Sequence, residues 1–528
     1  MSKLNFSTKW IYFLTTLPAV ALFYRAFSGR LGVDPVKKLE HELGLLTIQL
    51  LILTLLISPI RDLFKVSLIK YRRSLGVMTF FYAFSHFSVW MLFDIQLLWD
   101  ELIADIFRRP YISFGFLSFV GIIPLAITSN NISIKKMGVK IIWLMPINPI
   151  STTKSKGPLG SYYAVSDYTK VNPEFGTLED FKFLVDKAHK LGMYVILDWV
   201  PGHTGWDHLW INEHSDYYLK NRKGDIIDPI DFRTGKSFGW TDEADLDYNN
   251  MEMREDLRKA MIYWVNEANI DGYRIEQAYA IPKEFYDKTF AALREIKPVF
   301  LLAETDIYHP GGLDLISKFD ASYDWPGHNL SKEVAKGKKN AFDYSRHINM
   351  TLRRYGQENI VVNFVSNHDE NSWNGTIEES YGKAGHAFMA MNFTTPGMPL
   401  IYSGQEYDLN KRLHFFEKDS FPKIKGKTIK LLQQLGALKN NHKALESGPG
   451  GGSFKRLTTT KDYQVFAFER GKDGDTLIVM ANLSKDYTQF TMSYDGTFKR
   501  YQDFKTKRLS SSYQYDMKPW EFWILIKE

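Results

Sequence analysis

Hydrophobic positions divide the chain into two unlike stretches. The first carries four long apolar runs, roughly Trp10–Phe27, Leu43–Ile60, Val77–Trp99 and Tyr111–Thr128. Each is about 18–23 residues, enough to cross a ~30 Å hydrocarbon core. Four such runs exclude a simple cleaved signal peptide and predict an α-helical membrane bundle of about four spans over residues 1–137. From Val139 the pattern changes to short β-type runs separated by helical segments: VKIIWLMPI, YVILDWV, IDGYRIE, VFLLAE, ASYDW, NIVVNFVSNH and PLIYSGQE. Continuous apolar strands alternating with helices predict a parallel sheet covered on both faces. Seven strands fit an incomplete (β/α)₈ TIM barrel over residues 138–430. Later runs such as YQVFAFER and DTLIVMANL alternate with period two and predict a C-terminal antiparallel β-sandwich over 431–528.

Composition sharpens this picture. Cysteine is absent, which excludes disulfides, thiolate metal sites and a Cys nucleophile. Residues 1–137 hold 15 Lys/Arg against 8 Asp/Glu, or +7 of the chain's +6 total, so the remaining residues sum to −1. The basic excess flanks apolar runs, as at a lipid bilayer, and gives no nucleic-acid patch. Lys3, Lys9, Arg61, Lys65, Lys70, Arg72, Arg73, Lys135 and Lys136 lie on one side of the predicted bundle. Six basic residues lie on the other, so the bias places the barrel on the cytoplasmic face of a multi-pass (bacterial inner) membrane.

Candidate chemistry gathers at strand C-terminal ends, where a barrel keeps its active site. Asp198 and His203 lie in DWVPGHTGWDH, Arg274 and Glu276 in DGYRIEQ, Glu304 closes VFLLAE, and His368 and Asp369 close FVSNHDE. A lone strand-end Asp is usually a helix cap, and HTGWDH is a weak zinc pattern. Several acids converging on one mouth are what glycosidic cleavage needs: one carboxylic acid protonates the leaving oxygen and one carboxylate attacks the sugar. Tyr162, Tyr163, Trp206, Tyr279 and Trp373 supply flat faces for sugar rings.

The strings GSYYAVSDYTKVNPEFGT, DWVPGHT, DGYRIE, LLAETD, FVSNHDE and PLIYSGQE, in this order, resemble the α-amylase family of glycoside hydrolases (family 13) across residues 138–528. The resemblance implies retaining hydrolysis of α-1,4-glucans or malto-oligosaccharides. By position, Glu304 matches the general acid/base, Asp369 the transition-state stabiliser, and Arg274 the residue that orients the nucleophile. His203 and His368 match the histidines that grip the sugar, Tyr163 the ring beneath it, and Asp198 the supporting first-motif Asp. Three features depart from the family. Glu276 stands where the family has an Asp nucleophile, which predicts weak or absent turnover. Gly202 replaces an Asn calcium ligand, which argues against calcium. The first barrel strand is missing, so two sheet edges need a cover.

Residues 1–137 resemble another family through GRLGVDPVKKLEHELG, LLISPIRD, RRSLGVMTFFYAFSH and RRPYISFGFLS: the heme-binding membrane subunit of the periplasmic methionine sulfoxide reductase system, a ferric-reductase-like protein. That resemblance implies heme b, with His86 as the intramembrane ligand, and a redox partner subunit. It stops at KKMG, where the other begins, so the chain reads as a fusion of two truncated genes. Two alternatives to the hydrolase follow: a non-catalytic, membrane-anchored carbohydrate-binding protein, or a heme electron-transfer subunit carrying a passenger domain.

Overall fold

The computed structural model describes residues 8–94 and 132–528, apart from residues 33, 65–67, 232, 357 and 425. Contacts divide it into two compact units, Met1–Ser133 and Ile134–Glu528.

The N-terminal unit is built from three helices: α1 (Thr8–Phe27), α2 (Pro35–Phe64) and α3 (Ile69–Val89), the last running on into a π-helical turn at Trp90–Asp94. All three are long and apolar enough to cross a membrane. Large apolar side chains, among them Trp10, Phe13, Ile52, Leu55 and Phe81, point outward, which suits a lipid environment and not water. Leu39, Leu43, Met78, Tyr82 and Val89 pack inward. Pro18 interrupts α1, and beside it the Tyr82 hydroxyl donates to the Thr15 carbonyl at 2.6 Å and accepts from the Ala19 N–H at 3.1 Å. A neighbouring helix thus satisfies backbone groups at the proline, as helices in lipid require. The fourth predicted span, Tyr111–Thr128, lies outside the described residues.

The larger unit contains a seven-stranded parallel sheet whose strands neighbour one another in chain order: β1 (Ile141–Leu144), β2 (Tyr194–Trp199), β3 (Gly272–Ile275), β4 (Phe300–Ala303), β5 (Ala321–Tyr323), β6 (Ile360–Asn363) and β7 (Met398–Pro399). Helices 178–190, 251–268, 283–296, 325–335, 341–355, 385–394 and 428–441 supply the crossovers and outer wall. Start signals are local. Thr177 and Asp180 form a reciprocal capping box, as do Asn340 and Asp343, and Asn250 caps its helix by accepting two N–H groups. Inside the curl, Leu302, Tyr323 and Phe364 pack with Trp143 and Trp325.

Among the described residues β1 and β7 do not pair, so the sheet has an open seam. Two close approaches join segments that flank β1 to segments that follow β7. On one side Gly138, at φ +76°, lies against Gly436, where a Cβ would meet the Met137 carbonyl oxygen at 1.8 Å. Asn440 Nδ2 also donates to the Gly138 carbonyl at 2.8 Å. On the other, the Leu159 N–H donates to the Phe416 carbonyl at 3.0 Å, and Gly157 (φ +65°) passes too close to Phe416 for any side chain. Helix Thr428–Asn441 runs through the predicted 430/431 boundary and packs its Leu432, Leu435 and Leu438 against Met137 and the helix 385–394.

The C-terminal portion is an antiparallel six-stranded sheet in the spatial order 453–457, 465–472, 475–482, 522–527, 496–500 and 506–509, with a two-stranded ribbon of 488–490 and 515–517. Fully buried Arg470 ties it to the barrel by donating to the carbonyls of Thr394, Glu446, Gly452 and Ser453.

Candidate active site

The carboxylates meet because parallel strands share a direction. Asp198, near the end of β2, stands level with Arg274 in β3, and Arg274 with Leu302 in β4. Glu276 and Glu304 follow β3 and β4 immediately, and Asp369 lies six residues past β6. A cavity of about 440 Å³ opens at this end of the sheet. It is lined by Tyr163, His203, Arg274, Glu276, Glu304, His368 and Asp369 together. Seven of the eight residues predicted for sugar chemistry therefore line one hollow, and the eighth, Asp198, lies directly behind it.

Arg274 is the centre of the charge arrangement. It is fully buried, with Nη1 2.8 Å from Asp198 Oδ1 and Nη2 2.8 Å from Glu304 Oε1. Its guanidinium also lies 5.1 Å from the Trp143 ring. The Gln277 N–H donates to Glu304 Oε2 at 2.9 Å. Gln277 adopts φ +41°, so the strand end turns sharply enough to aim that N–H at the carboxylate. The family resemblance assigns the guanidinium to the nucleophile position. In this resting arrangement it grips Glu304 and Asp198 instead, and Glu276 accepts no hydrogen bond from any described residue. Burial pushes Glu276 well above the usual carboxylate range, with the negative charge of Glu304 adding to the effect and Arg274 opposing it. Burial likewise raises Asp369. Asp198 is lifted to about 7, against the pull of Arg274.

Tyr163 and His368 form the floor. The Tyr163 hydroxyl lies 3.1 Å from Asp198 Oδ2 and 2.7 Å from His368 Nε2, with the two rings stacked at 5.8 Å. Burial lowers His368 and His203 to about 3, so both are neutral at physiological pH. Behind Asp369, Glu370 is held by His328 at 2.9 Å and Lys332 at 2.7 Å, and these partners pull its carboxyl down to about 2.

Of the predicted aromatic faces, Tyr163 and Trp373 line the cavity. Trp206 instead lies under the Lys154 ammonium at 3.1 Å, and Tyr279 stacks on His309 at 4.5 Å. The structure adds residues that sequence reasoning missed. Glu243, buried beside His203 at 3.1 Å, is raised to about 8 by burial and by Asp242. Lys156, Asp242, Trp240, Phe415 and Phe416 complete the walls. Asp242 and Glu243 fall in the acidic run TDEADLD, whose residues 243–245 form a short strand paired with 203–205 but offer no hydrophobic period.

In the membrane unit, His86 Nδ1 lies 2.8 Å from the Glu40 carbonyl oxygen, and the imidazole packs against Gly44. Residues 1–137 contain one further histidine, His41, and it is exposed. One inward imidazole does not fit a heme held by two facing histidines.

Comparison with known proteins agrees with both sequence resemblances. Residues 127–294 match the alpha amylase catalytic domain. Residues 43–145 match the ferric reductase like transmembrane component. The larger unit resembles a noncanonic maltogenic alpha-amylase from Thermotoga neapolitana, at 25% identity and TM-score 0.67 over 75% of this chain and 91% of that one. It shares its fold with an alpha-amylase from Lactobacillus plantarum, at 24% identity and TM-score 0.66 over 76% and 94%. A 128-residue stretch, 24% of the chain, is 49% identical to the protein-methionine-sulfoxide reductase heme-binding subunit of Brucella ovis; the relative from Brucella anthropi is 48% identical. The chain spans 58% of the length of these two relatives. The chain thus carries one stretch similar to the ferric reductase like transmembrane component and another similar to alpha-amylases.

Proposed function

We propose that the protein is a membrane-attached glycoside hydrolase acting on α-1,4-glucans or malto-oligosaccharides with retention of configuration, and that Glu276 makes it slow. The observation that carries this reading is the convergence of Glu276, Glu304 and Asp369 in one hollow floored by Tyr163 and His368. Glu304 protonates the glycosidic oxygen as the bond to C1 breaks. Glu276 attacks C1 as a carboxylate, and Asp369 stabilises the charge that develops on the ring. Water then cleaves the glycosyl ester, its proton passing to Glu304.

The resting cleft opposes the first step. Arg274 holds Glu304, while burial shifts Glu276 toward its protonated form. Glu276 must give up its proton before attack, and Glu reaches about 1.5 Å further than Asp would. Both effects lower turnover and leave sugar binding intact. The barrel is assigned to the cytoplasmic side by its flanking basic residues. Incubation of the full chain in detergent with maltoheptaose, followed by proton NMR, tests the reading. Slow appearance of the α-anomer first is expected. Products first seen as the β-anomer would refute retention, and an absence of products with sugar still bound would leave a carbohydrate-binding protein.

A further inference from the structure

We propose that Trp373, reached by way of Phe415, is an outer sugar platform that makes the cleft bind long glucan chains in preference to a disaccharide. This rests on the hydrolase reading above and deepens it, from α-glucans in general to chains of several units.

The cavity has a buried side and an open side, and its aromatic lining runs from one to the other. Tyr163 is 7% exposed. Its hydroxyl bonds Asp198, whose partner Arg274 grips Glu304, so this ring stands at the carboxylates. The Phe415 ring lies within 9° of parallel to it, at 6.2 Å. Trp373 follows at 5.4 Å from Phe415 and is 53% exposed. All three rings line the same cavity. Sugar rings carry flat C–H faces that pack on aromatic rings while their hydroxyls keep to water, and an aromatic ring offers a large, stiff apolar face. Each step along the strip is close to one sugar unit. The strip therefore meets three successive units, and a disaccharide seated at the carboxylates falls short of Trp373.

The outer ring is held in place by the same turn that carries Asp369. Trp373 lies four residues further on, in the π-helical turn Glu370–Asn374. Such turns are rare and frequently mark functional sites. Buried Glu370 anchors this one through His328 at 2.9 Å, Lys332 at 2.7 Å and Asn374 Nδ2 at 2.8 Å. Phe415 comes from the loop after β7. Asn371 clasps that loop to the π-helical turn: its Nδ2 donates to the Lys411 carbonyl at 3.1 Å, and its Oδ1 accepts the Leu413 N–H at 2.9 Å. Asp419 closes the loop by accepting the N–H groups of His414 and Ser420 at 3.1 and 2.7 Å. Both rings are thus fixed before a sugar arrives, which lowers the ordering cost of binding.

Calorimetry on the full chain in detergent tests the platform, with maltose and maltoheptaose as the two sugars. The unaltered protein is expected to bind maltoheptaose at least about tenfold tighter than maltose. In Trp373→Ala that ratio should fall below about threefold, with maltose affinity held within about twofold. Trp373→Phe keeps a flat ring and should keep a ratio above about fivefold. A ratio unchanged in Trp373→Ala, or lost as fully in Trp373→Phe, overturns the platform. So does an equal loss of affinity for both sugars in Trp373→Ala, the mark of a side chain that merely supports the cleft. Equal binding of both sugars to the unaltered protein overturns the platform and leaves the sugar cleft standing. Binding of neither sugar overturns the platform and the hydrolase reading together.

Discussion

Replacing Glu276 with Asp tests the division of labour in the cleft. The change withdraws the carboxyl by one methylene, about 1.5 Å. A misplacement near 1 Å costs on the order of 10²-fold in rate, so restoring the shorter side chain is expected to raise kcat/KM on maltoheptaose by roughly 10²-fold, or about 2.7 kcal/mol of barrier. The titration gives a second signature. Glu276 is 8% exposed, accepts no hydrogen bond, and is raised by burial and by the charge of Glu304. A nucleophile whose pKa is raised is held toward its unreactive, protonated form. The rate of the unaltered protein is therefore expected to change with pH, and Asp, with a lower intrinsic pKa by about 0.4, should shift that profile to lower pH. The assay is reducing-sugar release from maltoheptaose between pH 5 and 9. A flat profile with no gain in Glu276→Asp would show that neither reach nor protonation limits the reaction, and would point to the open seam of the sheet.

Three further outcomes follow from the same geometry. Arg274→Met leaves Asp198 and Glu304 buried without their shared counter-ion and should cost about 3–5 kcal/mol of barrel stability in urea unfolding followed by tryptophan fluorescence; a loss under 1 kcal/mol would mean that water screens this part of the cleft. Glu243 is raised from 4.5 to about 8, so its folded form holds the extra proton between those values. Its favourable contribution is complete below pH 4.5 and is lost as pH rises to 8, a difference of up to about 5 kcal/mol at roughly 1.4 kcal/mol per unit; Glu243→Gln should flatten that decline, and an unchanged pH dependence would contradict the burial argument. Gly436→Ala would put a Cβ 1.8 Å from the Met137 carbonyl oxygen and should destabilise the barrel by a few kcal/mol, since backbone must move; a neutral result would show that this contact does not close the seam.

The site was more legible in the sequence than the walls around it. Asp198, Arg274, Glu276, Glu304 and Asp369 each follow or close an apolar run, and parallel strands necessarily deliver such positions to one rim. Lys156 and Asp242 belong to loops, and Glu243 to a three-residue strand, with no hydrophobic period, and only folding brings residues 156 and 242 together. The helix 428–441 does carry a helical signal, Ile429, Leu432, Leu435 and Leu438, but it falls across a change of pattern that reads as a domain edge. The two glycine contacts beside the open seam left no trace in hydropathy, because they let backbones approach. In the membrane unit, helix positions followed from length and apolarity, whereas Tyr82 bridging the Pro18 interruption depends on how two helices face each other.

The central claim is that three carboxyls from separate strands act on one sugar in one hollow. Comparing Glu304→Gln with the unaltered protein, for both maltoheptaose turnover and maltoheptaose affinity in the same buffer, tests it most directly. Turnover lost by at least about 10²-fold with affinity held within a few-fold is the predicted result. Turnover retained in Glu304→Gln, or affinity and turnover falling together, would contradict it.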